Sequence, residues 1–462
     1  MVTIDYKFVA IPRHVLQHNL TAALIMKVSP IWFLAGFVLC AVVLSLGLAR
    51  TAEPSLSPTS ALRVTARLAG GTPVKIVCFG DSITGVYYHT GSRRSWCELL
   101  GTALGRVYPR SRIQMINAGV SGNTTEAALK RMEVDVLVHR PDLVVVMFGM
   151  NDVRSLALSA FTANLETIVR TIRDRGSEVV LMTPNAVGDD DPERPPAKVA
   201  MYAQSVREVA LREKIRLVDA YAVFSEIRSR GSAASQRVMS DTIHPNFLGH
   251  LLFAEHVARE ISGADVSLSN VPPMKPGLPS VVARLRSGEP VRVVAMPPYD
   301  KMIVSALKRW APDATVDVIP WIPDTKSLAA IESQAKQMGR FQHRRTTDSP
   351  APDLVLLAVP PDAEATTDEQ FLRAYSWIVK WSLPFGRGTP EWDCAIVLPS
   401  VDRQNRAPGQ QRSAQLAQEV ARAQDVPSLE RKRGDQREGL ALFSEWIGGL
   451  LEPVGTLQPT AD

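Results

Sequence analysis

Four short blocks of this chain carry side chains suited to attack on an acyl carbon. They are Gly80-Asp81-Ser82-Ile83, Asn117-Ala118-Gly119-Val120-Ser121-Gly122-Asn123-Thr124, Gly149-Met150-Asn151-Asp152 and Asp241-Thr242-Ile243-His244-Pro245-Asn246. A serine hydroxyl is a poor nucleophile until a base removes its proton. His244 is the candidate base for Ser82. Asp241, three residues earlier, can accept from the other imidazole nitrogen, which fixes the tautomer and stabilises the imidazolium. Pro245 stiffens the turn that carries them. Gly122 directly precedes Asn123-Thr124-Thr125-Glu126, which reads as a capping box at a helix start. A backbone N–H there suits a developing anion, and glycine lets the backbone approach a substrate closely.

In this order, the blocks resemble the SGNH hydrolase superfamily, also called the GDSL esterase/lipase family, over about residues 72–262. The resemblance implies a flavodoxin-like three-layer α/β/α sandwich with a parallel sheet, and hydrolysis of carboxylic esters through an acyl-serine. It assigns Ser82, His244 and Asp241 to catalysis. It builds the oxyanion hole from the Ser82 N–H, the Gly122 N–H and the Asn151 amide, and it calls for no metal or cofactor. Gly119 is set aside because the family's glycine stands later in that block. Asp81 and Asp152 are expected to hold loops through hydrogen bonds. Tyr87, Tyr88 and His89 follow the nucleophile and either line a substrate pocket or pack. His89 has no acid beside it in the sequence to make it a second base. No G-x-S-x-G elbow, H-E-x-x-H, P-loop or G-x-G-x-x-G occurs, which argues against other hydrolase, zinc and nucleotide sites.

These side chains must be positioned by a scaffold, and apolar runs at 74–79, 113–116, 143–148, 179–182 and 215–218 predict buried strands. Stretches of helical periodicity between them, such as 124–138 and 158–173, predict a parallel sheet covered on both faces. The chemical blocks follow the strands, at the carboxyl edge where open α/β sheets carry their sites.

With 462 residues the chain has room for more than one such unit. A Pro-rich joint at 263–280 separates the hydrolase-like domain, 71–262, from a second region, 281–452, that echoes it. Pro352-Asp353-Leu354-Val355-Leu356-Leu357 parallels Pro141-Asp142-Leu143-Val144-Val145-Val146, and Gly439-Leu440-Ala441-Leu442-Phe443 parallels Gly249-His250-Leu251-Leu252-Phe253. Tyr299, Asp362 and Gly434 align with Ser82, Asn151 and His244, so this degenerate SGNH-like copy is expected to be catalytically silent. Residues 453–462 form a tail.

The uncharged run 30–49 is long enough, at about 1.5 Å per residue, to cross a bilayer core. Residues 1–29 carry Lys7, Arg13 and Lys27 against Asp5, which favours a cytoplasmic N-terminus. The run therefore reads as one N-terminal transmembrane helix or a cleaved signal peptide. A linker at 50–70 would then lead to a catalytic domain outside the cytoplasm, anchored, secreted or periplasmic. The four cysteines, Cys40, Cys78, Cys97 and Cys394, form neither a disulfide framework nor a paired metal motif. The net charge of +5 gives no case for nucleic acid. A small-molecule or glycan ester is the expected substrate. Transfer of an acyl or acetyl group to a sugar is the alternative, as is a glycan-binding role led by the second domain.

Overall fold

The computed structural model describes residues 62–323, 327–339, 351–360, 363, 365, 367–386, 392–398, 408–432 and 434–451. The five apolar runs become β1 (Val74–Gly80), β2 (Ile113–Gly119), β3 (Leu143–Met147), β4 (Glu178–Met182) and β5 (Arg216–Val218). They form an all-parallel sheet in the order β2-β1-β3-β4-β5. Every residue of β3 is buried, as a central strand covered on both faces requires.

Strand register aligns the loops that carry the chemical blocks. Gly80 at the end of β1 pairs with Gly119 at the end of β2 and with Met147 at the end of β3. The loops after these strands therefore leave the sheet side by side. Among the covering helices are α1 (Arg63–Ala69), α2 (Trp96–Val107), α3 (Thr125–Asp135), α4 (Leu158–Asp174), α5 (Pro196–Arg212) and α6 (Phe247–Ser262). On α4, Phe161, Leu165, Ile168, Val169 and Ile172 face the core at helical spacing. The start of α2 is closed by a reciprocal capping box between Ser95 and Glu98.

Three expectations change. Part of the expected linker is helical, since α1 buries Val64 and Leu68 in the first core, and Glu178 accepts from the N–H groups of Arg63 and Val64 at 2.7 and 2.8 Å. The capping box foreseen at Asn123 is absent. The N-cap is Thr124, whose hydroxyl accepts from Ala127 N, and Ala127 has no carboxylate to return the bond. The fold with one transmembrane helix is also corrected: among the described residues no helix is long and apolar enough to cross a membrane. The long helices there carry charge along their length, as Arg170 and Arg173 do on α4. The run 30–49 lies outside the described residues.

A second parallel sheet contains β6 (Val291–Ala295), β7 (Val316–Pro320), β8 (Leu354–Leu357), β9 (Asp393–Val397) and β10 (Ser428–Leu429), in the order β10-β9-β8-β6-β7. Counted from its own first strand, this is the order of the first sheet. Tyr299 opens α7 (Tyr299–Lys308) after β6, and Gly434 lies in the loop before α9 (Gly439–Leu451). Asp362 lies outside the described residues. Helix α8 (Asp368–Ser382) packs on this second core.

The two sheets have separate cores but share an ordered boundary. Arg94, just before α2, grips Asp425 with two hydrogen bonds of 2.6 and 2.8 Å, and both side chains are almost fully buried. The Pro-rich joint is pinned, since Arg93 donates to the carbonyls of Pro276 and Gly277, and Arg94 to that of Pro272. Removing one partner of a buried ion pair leaves a charge without compensation, at a cost of about 3–5 kcal/mol, whereas an apolar pair of similar volume is often neutral. Arg94→Ala is therefore expected to lower denaturant stability by about that amount, and Arg94→Met with Asp425→Leu to recover most of it. A single variant as stable as the native chain would contradict this.

Candidate active site

Ser82 sits in the turn leaving β1. Asp81 builds that turn: its buried carboxylate accepts from Ile83 N at 2.9 Å, and its carbonyl accepts from the N–H groups of Thr84 and Gly85. Asn117 on β2 ties the next stretch down, donating to Thr84 O at 2.9 Å and to Ser95 Oγ at 3.0 Å. The Ser82 hydroxyl lies 2.9 Å from Nε2 of His244. The other ring nitrogen of His244, Nδ1, lies 2.9 and 3.1 Å from the two carboxylate oxygens of Asp241. Asp241 also accepts from the backbone N–H groups of Ile243 at 2.9 Å and His244 at 2.7 Å. Thus one carboxylate folds its own loop and orients the ring.

Gly122 and Asn151, expected as oxyanion donors, lie in the loops beside the Ser82 turn. Gly122 adopts φ +75°, which favours glycine, and a Cβ there would meet nothing within 4 Å. Asn151 donates to the carbonyl of Asn123 at 3.1 Å and to Asp81 at 3.4 Å, so its amide bridges the Gly122 block and the Ser82 turn. Asp152 is fully buried and accepts from Thr125 N and Oγ1 at 2.8 and 2.6 Å and from Gly149 N at 3.2 Å. Asp81 and Asp152 thereby hold the loops.

Three contributors have no signature in the sequence. Arg194, buried, donates to Met150 O at 2.9 Å and to Oδ1 of Asn151 at 3.3 Å, which turns the Asn151 NH2 toward the Ser82 turn. Ser240 binds the ring of His89 through its hydroxyl at 3.0 Å. Lys380, on α8 of the second sheet, is buried and donates to the carbonyl of Ser240. Arg194 and Lys380 sit far along the chain from their partners, so only the tertiary fold reveals them.

The aromatic residues after the nucleophile take distinct places. The hydroxyl of Tyr87 accepts from Ser121 N at 2.9 Å and steadies the residue before Gly122. Tyr88 lies between His89 and Phe385, with ring centroids 4.0 and 5.7 Å away. His89 is buried and stacks on His244 at 3.8 Å with planes 15° apart. Its Nδ1 lies 3.7 Å from Asp241, so an acid does stand near it in space.

Burial and charge set the protonation states. Burial alone pushes Asp241 up, but His244, its hydrogen bond, His89 and Lys380 together outweigh this and hold the carboxyl far below its usual range. Asp81 is pushed up to about 6, chiefly by burial. His89 is held well below its usual value by burial first and by the neighbouring His244 next. His250, whose Nδ1 accepts from Trp96 N at 2.9 Å, is lowered to about 3 for the same two reasons.

Among the described residues, His89, Asp241 and His244 are the group whose donor atoms could converge on a metal ion. A cation there would take Asp241 away from His244 and would face the Lys380 ammonium, so the set suits a proton relay better.

The sequence profile of the GDSL-like Lipase/Acylhydrolase family matches residues 78–252. The chain is 28% identical over 210 residues to the acetylxylan esterase of Geobacillus stearothermophilus, covering 41% of this chain and 95% of that protein. It is 33% identical over 133 residues to the uncharacterized lipoprotein YqeF of Bacillus subtilis, covering 26% of this chain and 53% of that protein. The crystal structure of a lipase/acylhydrolase from Enterococcus faecalis aligns at 30% identity and a TM-score of 0.37, over 41% of this chain and 96% of that one.

Because folding lowers both pKa values, His89 and His250 stay neutral over pH 5–8 while an unfolded histidine would take up a proton near 6.5. Imidazole 15N shifts of these two rings are expected not to move across that window. A titration of either one inside it would contradict this packing.

Proposed function

Since this chain belongs, through residues 78–252, to the GDSL-like lipase/acylhydrolase family and is a carboxylic ester hydrolase, we propose that Ser82 is its nucleophile and that acetyl esters of a carbohydrate are its substrates. The observation that carries this reading is the unbroken hydrogen-bonded chain from Ser82 Oγ through His244 to Asp241. In the first step His244 Nε2 takes the hydroxyl proton as Oγ bonds to the acyl carbon. The imidazolium is stabilised by Asp241, which its surroundings keep ionised. The negative charge on the carbonyl oxygen meets the N–H groups of Ser82 and Gly122 and the Asn151 amide. His244 then returns the proton to the departing alkoxide, leaving an acyl-serine and the free alcohol. A water molecule, deprotonated by His244, attacks the acyl group and releases the acid, restoring Ser82.

The acyl part is read as short and the alcohol as a sugar because the acetylxylan esterase relative aligns over nearly its whole length. An extracytoplasmic setting is supported by the relative named as a lipoprotein.

Initial rates on p-nitrophenyl esters from acetate to decanoate test this. Acetate is expected to be the best substrate and Ser82→Ala to abolish turnover. Asn151→Ala is expected to lower kcat by about 10²–10³-fold, the usual effect of losing one oxyanion donor. Only the neutral imidazole accepts a proton, so kcat/KM rises with pH, by about tenfold per unit along its acid limb. Turnover that survives in Ser82→Ala, or a best rate on decanoate, would overturn the corresponding half of the reading.

A further inference from the structure

The second sheet does not merely lie beside the first. Its helix α8 ends with Lys380 inserted beneath the Asp241 loop. Lys380 is 3% exposed and its ammonium donates to the carbonyl of Ser240, the residue before Asp241. The same ammonium lies 4.3 Å over the ring of Trp377, one turn earlier on α8. Ser240 in turn holds His89, and His89 stacks on His244. The loop after α8 reaches the same neighbourhood: Phe385 O accepts from Tyr88 N at 3.2 Å, Pro384 O accepts from Ser92 Oγ at 2.6 Å, and Gly386 bridges to Tyr87. The rings of Phe385, Tyr88, His89 and His244 thereby form a continuous run of contacts, tilted as far as His89 and stacked at His244, that starts in the second half of the chain.

We propose that Lys380 is a positioning residue for the Asp241–His244 pair, so that the second α/β half, silent in itself, completes the catalytic site of the first. This rests on Ser82 as nucleophile and His244 as its base. Burying an ammonium is costly unless something nearby compensates it. The compensation here is Ser240 O, the Trp377 ring and the charge of Asp241. The same geometry acts in return on the acid. The Lys380 ammonium, its pKa lowered to about 8 by burial and still charged along the acid limb, adds to His244 and His89 in keeping Asp241 ionised, and its bond to Ser240 O sets where the loop begins its turn. The two halves of the chain are thus coupled at the reacting groups as well as at the Arg94–Asp425 pair.

The charged and titratable groups facing this cluster are Asp81, Tyr88, His89 and His250 around His244 and Asp241, and Glu332 and Arg373 around Lys380. Removing the Lys380 charge leaves the others in place. It makes Asp241 more basic, and a more basic partner favours the protonated base, which moves the acid limb of the rate profile to higher pH.

The test is kinetics of the full chain on p-nitrophenyl acetate with Lys380→Met, Lys380→Gln, Lys380→Arg and Ser82→Ala, each first compared with the native chain by circular dichroism. In Lys380→Met and Lys380→Gln, kcat is expected to fall about tenfold or more with KM within about twofold, and the acid limb to shift upward. Lys380→Arg is expected to recover much of kcat and to return the limb. Should Lys380→Met fail to fold, the Gln and Arg pair, which differ in charge while both can donate to Ser240, decide the matter. Folded Met or Gln variants with native kcat and an unmoved acid limb would overturn the role of Lys380 while Ser82→Ala remains inactive. Activity in Ser82→Ala would instead overturn the underlying reading, and the inference with it.

Discussion

The site depends on how closely the turn after β1 approaches the end of β2. A Cβ on Gly119 would lie 2.1 Å from the backbone nitrogen of Gly85, and one on Gly80 would lie 2.7 Å from the carbonyl of Met147. Glycine at both positions lets three parallel strands end level and lets their loops touch. The Ser82 turn, the Gly122 block and Asn151 are brought together by that contact. Asp81, Asn117 and Asp152 then fix each loop with hydrogen bonds that strand pairing alone does not supply. Backbone register thus sets the Ser82 turn beside the loops of Gly122 and Asn151, the donors proposed for the acyl-transfer transition state.

A second constraint is electrostatic. His244 and Asp241 sit among polar groups with opposing preferences. Asp81, buried, is pushed up to about 6, whereas Asp241, only partly buried, is held low by His244, His89 and Lys380. Two carboxylates about the same serine are thereby separated in role, one holding the turn and one serving the imidazole. His89 and His250 remain neutral neighbours that pack without competing for the proton. Low local polarisability makes each of these pairings strong, and makes each unpaired group costly.

Much of this was legible in the residues. Apolar runs placed all five strands of the first sheet, most plainly the central β3, which is buried on both faces and has no polar side, while the edge strands β2 and β5 are only partly buried. Three of the four chemical blocks come together because each lies at a strand end, whereas the Asp241–His244 block sits between two helices, just ahead of α6. The repeated strand order of the second sheet fits the echoes around Leu354 and Gly439. What escaped the sequence depends on distance or on small differences in local geometry. Arg194 and Lys380 act across 43 and 140 residues, and no local spacing encodes such contacts. Helix α1 escaped because only Val64 and Leu68 are buried in it, which is too short a pattern to outweigh the Pro- and Ser-rich stretch before it. The cap at Thr124 differs by a single residue from the one expected, and that shift removes the reciprocal glutamate. The acid near His89 could not be inferred either, since Asp241 is close to it only in space.

The central claim is that the hydrogen-bonded chain makes Ser82 nucleophilic. Stoichiometric labelling with a p-nitrophenyl alkylphosphonate, with intact-mass measurement and peptide mapping, tests it most directly. One phosphonyl adduct per chain is expected, located on Ser82, with labelling greatly slowed in His244→Ala. An adduct on another residue, or an unlabelled chain that still hydrolyses esters, would contradict it.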